Sequence, residues 1–227
     1  MAKSKSAFQT IRTEGALFPP DILQRIASLK VDGARSDDYH LPPGFKVKEA
    51  ITASWNSLRA HWSNFQEARE SLEQDETGTA VTNDRWLLPL FKELDYGRLT
   101  TEKSPVIEEK SYPIERFYNH TPIHLIGCNL PLDKRTKGAR GAATASPHSM
   151  MQEFLNRSDD HLWAFVSNGR HLRILRDNIS LSRQAFVEFD LEAMMEGEVY
   201  SDFALLWLLC HQSRVEADQP EQCWLEK

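Results

Sequence analysis

The chain has 227 residues, a hydrophobic content of 41% and a formal net charge of −6, so we expect one or two soluble domains with a sizeable core. The chain has no run of about 18 apolar residues, so we expect no membrane span. Its start, MAKSKSAFQT, lacks the apolar region of a secretory signal. Three scattered cysteines favour a reducing cytoplasm over a disulfide framework or a zinc site: Cys128, Cys210 and Cys223.

The first 80 residues predict a helical subdomain. Residues 1–10 are polar and predict a disordered start. Asp21 can cap a short helix that follows it directly. Residues 46–73 carry the longest amphipathic pattern, because their apolar side chains recur on one helical stripe. A polar loop over residues 75–84 ends this part of the chain.

Residues 81–227 predict an α/β core, because strand patterns and helix patterns alternate there. Thr82 or Asn83 can cap a helix that covers residues 84–94. Strand patterns follow at three places: residues 106–107, 112–114 and 123–126. A loop rich in glycine and lysine then covers residues 133–145.

The clearest local signals lie between Ser146 and Asp190. Ser146 can cap a helix that has proline at its first position. Asn168-Gly169 stands between two apolar runs and predicts a tight β-hairpin, after which a third strand ends near Asp190. A last helix over residues 202–215 is apolar almost all round, which predicts that it is buried.

One set of motifs in this chain has a family likeness. Phe154 lies on a predicted helix, and Trp163 to Arg173 forms a tryptophan strand, a Ser-Asn-Gly turn and an arginine-flanked strand. These motifs resemble the N-terminal region of large restriction–modification methyltransferases, both type IIG-like enzymes and the adenine methyltransferases of DISARM-like antiphage systems. A fainter likeness is to the N-terminal nuclease domain of type I restriction subunits. Further similar segments are Arg85–Arg98, Pro122–Gly127, Leu132–Arg135 and Tyr200–Arg214.

The resemblance covers the chain from about Ile11 onward, but only the front end of those larger proteins, so the chain is either a fragment or a stand-alone version. It implies an α/β (α+β) fold: a helical subdomain, residues 1–80, followed by a restriction-endonuclease-like core, residues 81–227. That core, of the PD-(D/E)XK kind, has a mixed sheet flanked by helices. The implied role is in restriction–modification or antiviral defence. The implied partners are DNA and a methyltransferase domain or another defence-system subunit, with no membrane.

An active PD-(D/E)XK site needs an acidic residue on one strand and Glu-x-Lys on the next, because the carboxylates hold magnesium and the lysine helps to activate water. One register places Glu-x-Lys at Glu108 and Lys110, with Asp95 upstream; the alternative is a solvated charge run in a hairpin. The register that the resemblance implies begins near Glu115 and places the motif on residues 127–129, Gly-Cys-Asn. Those residues cannot bind magnesium strongly or deliver a proton, so we favour no catalytic residue, no metal site and no cofactor. Magnesium is expected only if the first register holds.

Basic residues near two elements are the candidate nucleic-acid contacts. In the loop, glycines let the backbone approach phosphates, and four cations are candidates: Lys134, Arg135, Lys137 and Arg140. The alternative there is a mobile, solvated loop. Three more candidates flank the hairpin, with Arg183 beyond them: Arg170, Arg173 and Arg176. For these the alternative is salt bridging to Asp159, Asp160, Asp177 or Glu188.

Three functions remain open from the sequence. The leading hypothesis is a non-catalytic, nuclease-like module that engages DNA or docks a partner subunit. The alternatives are a magnesium-dependent DNA nuclease that uses Glu108 and Lys110, and a module that binds protein only. The methyltransferase signature Asn-Pro-Pro-Tyr is absent, so we expect no methyl transfer by this chain alone. His124 and His148 are interpreted as hydrogen-bonded core residues.

Overall fold

The computed structural model describes residues 8–15, 17–19, 21–177 and 185–227. Within these ranges the chain is an α/β protein with a mixed six-stranded sheet, in the order β1-β8-β7-β6-β5-β4, and a separate β2-β3 hairpin. The strands are β1 (Ile11–Glu14), β2 (Val106–Ile107), β3 (Lys110–Ser111), β4 (Arg116–Tyr118), β5 (Thr121–Leu125), β6 (Trp163–Ser167), β7 (His171–Arg176) and β8 (Phe186–Asp190). The predicted fold class, α/β with a mixed sheet, is confirmed.

Helices lie on both faces of the sheet, and two apolar clusters hold them there. The helices are α1 (Ile22–Ala27), α2 (Val47–Glu70), α3 (Thr79–Thr82), α4 (Leu88–Glu93), α5 (Pro147–Arg157), α6 (Leu191–Glu196) and α7 (Tyr200–Cys210). Neighbouring residues of a strand point to opposite faces. Phe165 therefore joins the cluster that contains α2, α4 and α7, whereas Val166 joins the cluster that contains α5.

The parallel pair β5 and β6 is joined through α5, because parallel neighbours need a crossover connection. Ser146 caps α5 as predicted: its hydroxyl accepts a hydrogen bond from the Ser149 backbone N–H at 3.2 Å. After β5, the chain stays beside the end of β6. The Ile126 N–H donates to the Ser167 carbonyl at 2.9 Å, and the Asn168 side chain donates to the Leu130 carbonyl at 2.9 Å.

The Asn168-Gly169 hairpin between β6 and β7 is confirmed. The Asn168 side-chain oxygen accepts from the backbone N–H groups of Arg170 and His171, at 3.1 and 2.9 Å. Gly169 has a φ of 78°, and a Cβ there would lie 2.5 Å from a methyl of Thr82. The turn therefore needs glycine both for its backbone conformation and for its close packing.

The helix predicted at 84–94 begins earlier, at Thr79, and runs through a π-helical turn, Asn83–Leu87, into α4. The turn precedes Pro89, which has no N–H to continue the α-helical ladder. Neither Thr82 nor Asn83 is its cap. Thr82 lies inside the helix, where its hydroxyl donates to the Gly78 carbonyl at 2.7 Å and accepts from the Cys128 N–H at 2.9 Å.

Some predicted boundaries are wrong. Residues 112–114 are irregular and not a strand, and Pro113 can donate no hydrogen bond to a sheet. Tyr112 nevertheless belongs to the core, packing edge-to-face on Phe154 with ring centroids 5.3 Å apart. The last helix starts at Tyr200 and ends at Cys210, short of residue 215. The long helix and the short one after Asp21 are confirmed, but the Asp21 side chain makes no capping hydrogen bond.

The N-terminal part contributes a strand that the sequence did not predict. β1 pairs with β8, with Arg12 opposite Glu188. Just before it, Asp202 of α7 accepts bonds from the backbone N–H groups of Gln9 and Thr10, at 2.8 and 2.7 Å. Gln9 and Thr10 are thus fixed against α7, so the predicted disorder is wrong for them, whereas residues 1–7 of the predicted disordered start lie outside the described part. The two predicted subdomains share this sheet and one apolar cluster, and the boundary near residue 80 stays a prediction.

Candidate nucleic-acid interface

The basic loop after β5 is folded back on itself. Its backbone bonds join Thr136 to Ala142 at 2.9 Å, and Ala139 to Thr136 at 3.1 Å. Ala139 and Ala142 are buried in the cluster beneath α5, which anchors the loop. Gly138, with a φ of 81°, lies at the exposed side of this turn, where a left-handed backbone favours glycine.

The four loop cations differ in how far the protein already uses them. Arg140 pairs with Glu115, and Arg135 donates from Nε to the Ala143 carbonyl at 2.8 Å. Lys134 and Lys137 are exposed, and no carboxylate among the described residues pairs with either. The loop therefore presents two uncompensated ammonium groups beside two guanidinium groups that are already hydrogen-bonded.

Arg173, on β7, is buried in a network of charges. It is 3% exposed and donates to Glu188 at 2.6 Å and to both carboxylate oxygens of Asp133 at 2.6 and 2.7 Å. Those hydrogen bonds lower the pKa of Asp133. His148 lies 3.2 Å from the same guanidinium, and burial lowers its pKa to about 4, so it accepts as a neutral imidazole. Arg173 therefore forms the salt bridge to Glu188 that the sequence analysis gave as the alternative to a nucleic-acid contact.

The other two hairpin arginines also bind acidic side chains. Arg170 donates to Glu192 at 2.7 Å, and Arg69 of α2 donates to the same carboxylate at 2.6 Å. Arg176 binds both oxygens of Glu226 at 2.7 and 2.8 Å. These pairs tie the hairpin to distant parts of the chain, which is a structural role. Arg183 lies outside the described residues.

The candidate nuclease residues are not brought together. Glu108 and Glu109 form the left-handed turn between β2 and β3, with φ of 48° and 65°. Glu108 pairs with Arg157 at 2.7 Å, and Lys110 pairs with Glu153 at 2.6 Å. This matches the alternative of a solvated charge run in a hairpin. In the part of the chain that the structure describes, no group of three or more His, Cys, Asp or Glu side chains could hold a metal ion.

Asp95 and Glu115, the other acidic candidates, have different surroundings. Asp95 lies beyond the end of α4, where burial raises its pKa and His40 lowers it. Glu115 is half-buried and pairs with Arg140, and both residues line a small recess of about 70 Å³. His124 lines the same recess and is 4% exposed; its Nε2 lies 3.0 Å from the Gly141 carbonyl. Burial lowers the pKa of His124 to about 4, as for a core histidine.

A larger cleft contains cations that the sequence analysis missed. It encloses about 950 Å³ between α2, α4, residues 97–101 and Arg116 of β4. Its basic residues are Lys92, Arg98 and Arg116, with His61 beside them. No local pattern joins these four positions, because they come from four separate segments of the chain. The one signal in the sequence is that Lys92 and Arg98 flank the end of a predicted helix.

Comparisons with protein-family models, with curated proteins and with solved structures give no match for this chain. The likeness to restriction–modification methyltransferases therefore depends on the sequence motifs alone and stays a prediction. None of the described helices combines the length and apolar character that crossing a membrane requires. The three cysteines, Cys128, Cys210 and Cys223, are buried free thiols.

Proposed function

We propose that this chain is a non-catalytic DNA-engaging module of a restriction–modification or antiphage methyltransferase system in the cytoplasm. The observation that carries the proposal is the anchored loop, which exposes Lys134 and Lys137 without carboxylate partners among the described residues. The whole chain has a net charge of −6, so such cations would act locally. The nuclease-like fold and the methyltransferase partner rest on the sequence resemblance.

Phosphate contact suits this loop for two physical reasons. Ammonium groups that have no acidic partner lose no internal ion pair when they bind phosphate, and they release condensed counterions from DNA. Arg135 and Arg140 lie on the same turn and keep guanidinium donors beyond the bonds described above. Contacts of this kind position a duplex without reading its sequence.

The nuclease alternative has less support. Glu108 and Lys110 each sit in an ion pair, with Arg157 and Glu153, so binding magnesium at Glu108 would break an existing contact. The turn that carries Glu108 is exposed, whereas a hydrolytic metal site works best where water access is restricted. Docking of a partner subunit, the other part of the leading hypothesis, has no specific contact that favours it over DNA.

Fluorescence anisotropy with a labelled duplex tests the proposal. The wild-type chain should bind at about 50 mM salt and weaken strongly at about 200 mM. Changing Lys134, Arg135, Lys137 and Arg140 to Ala should abolish most of the binding. If all four contact phosphates, the slope of log affinity against log salt should flatten by up to about 3.6. Absence of binding at low salt would overturn the proposal and favour a protein partner.

A further inference from the structure

The cleft beside β4 is separate from the basic loop and combines charge with apolar surface. Ser57 and His61 of α2 form one wall, and the last turn of α4 supplies Lys92. Residues 97–101 and Arg116 close the other side. Its volume of about 950 Å³ is typical of a pocket for a small ligand, and a duplex is far too wide for it.

The charges of the cleft are unbalanced. Among the described residues, no carboxylate forms an ion pair with Lys92, Arg98 or Arg116. The carboxylate that lines the cleft, Glu93, already accepts a hydrogen bond from Ser57 at 2.8 Å. In a chain with a net charge of −6, three cations against one committed acid form a local positive site.

Arg116 supplies the third cation of the cleft and comes from a different element than the other two. Its Nε is closed to solvent and has no hydrogen-bond partner among the described residues. A ligand in the open cleft would therefore meet the other donors of the guanidinium group. That group is a planar fork that matches the oxygens of phosphate.

The remaining lining is mixed: Ser57, Thr100 and Thr101 carry hydroxyl groups, and three other residues are apolar and half-buried. Leu88 and Pro89 come from α4, and Leu99 comes from the segment after Gly97. A free inorganic anion would gain nothing from such surface, whereas a ligand with an apolar face would. The combination therefore fits an amphipathic anion better than a simple ion.

We propose that this cleft binds a nucleoside phosphate. The phosphate lies among Lys92, Arg98 and Arg116, and the nucleoside packs against Leu88 and Leu99. The same chemistry is offered by a free nucleotide and by the phosphorylated end of a single strand. The site goes beyond the proposed duplex-engaging loop, because it shares none of the loop's four cations.

Isothermal titration calorimetry tests the site with defined probes: adenosine monophosphate, adenosine, inorganic phosphate, and a tetrathymidylate with or without a 5′ phosphate. Adenosine monophosphate should bind at least tenfold more tightly than adenosine or inorganic phosphate. The variant Lys92→Ala/Arg98→Ala changes exposed positions and should weaken binding at least tenfold. The control Lys48→Ala/Lys103→Ala removes the same charge at exposed positions outside the cleft and should bind as wild type.

A second variant, Arg116→Gln, removes the third cation of the cleft; it should weaken binding of adenosine monophosphate at least tenfold while circular dichroism shows an unchanged fold. Tighter binding of the phosphorylated tetrathymidylate identifies a strand end as the ligand, and tighter binding of the monophosphate identifies a free nucleotide. The proposal is overturned if no probe binds, or if binding survives Lys92→Ala/Arg98→Ala. Duplex binding by the loop is separate, because the cleft variant should retain it and the loop variant should still bind nucleotide.

Discussion

Removal of the Arg173 guanidinium should destabilise the fold strongly. The residue is 3% exposed, and its partner Glu188 is 8% exposed. In Arg173→Met, the Glu188 carboxylate stays buried and loses the donor that lies 2.6 Å away. Breaking a buried ion pair from one side costs roughly 3–5 kcal/mol. We expect a loss of about that size in the free energy of unfolding, measured by urea denaturation followed by circular dichroism.

Two further variants show whether the buried charge causes the loss. Arg59→Met removes an exposed pair with Glu198, whose side chains are 53% and 63% exposed, and should cost at most about 1 kcal/mol. Arg173→Met/Glu188→Gln removes the uncompensated charge and should recover part of the stability. The reasoning is refuted if Arg173→Met costs less than about 1 kcal/mol, or if the double variant is no more stable than the single one.

Three other predictions concern pH, packing and the nuclease alternative. Burial lowers the folded pKa of His124 to about 4, below the unfolded value of about 6.5. The unfolded chain therefore takes up the proton first. The stability that depends on neutral His124 is complete above about pH 6.5 and is lost towards pH 4, by up to about 1.4 kcal/mol per pH unit. In His124→Gln, the midpoint of urea unfolding should therefore change less with pH than in the wild type. An equal slope in both proteins would contradict this. A Cβ on Gly127 would lie 1.9 Å from the Thr77 carbonyl oxygen, so Gly127→Ala should cost roughly 1–3 kcal/mol or prevent folding, and an unchanged melting temperature would count against the packing described. The Glu108 carboxylate pairs with Arg157, so we expect only background DNA cleavage in magnesium buffer, both from the wild type and from Glu108→Gln. Cleavage by the wild type that Glu108→Gln abolishes would support the nuclease alternative.

Local sequence signals predicted the centre of the sheet well. The Asn168-Gly169 turn and the Ser146 cap depend on residues that lie close together in the chain, so each could be recognised from its own segment. β1 and β4 escaped prediction because neither contains adjacent β-branched residues, the signal that marked the two-residue β2. Their existence depends on the neighbouring strands that they pair with.

The distant partners of the hairpin arginines were beyond the reach of the sequence, although Glu188 was a candidate partner for Arg173. Arg176 binds Glu226, 50 positions away, and Arg173 binds Asp133, 40 positions away. A charge pattern along the chain cannot show that such acids will neutralise the hairpin. The cleft was missed for the same reason, because Lys92, Arg98 and Arg116 meet only after β4 has paired with β5 and α4 has packed on the sheet.

The most direct test of the central claim compares two variants that lose the same positive charge. One changes Lys134, Arg135, Lys137 and Arg140 to Ala. The other changes four exposed cations elsewhere: Arg25, Lys30, Lys48 and Lys103. At about 50 mM salt, the account predicts that the loop variant loses duplex binding in fluorescence anisotropy while the second variant keeps nearly wild-type affinity. Equal loss in both variants would contradict a DNA-engaging loop and indicate attraction to the overall charge alone.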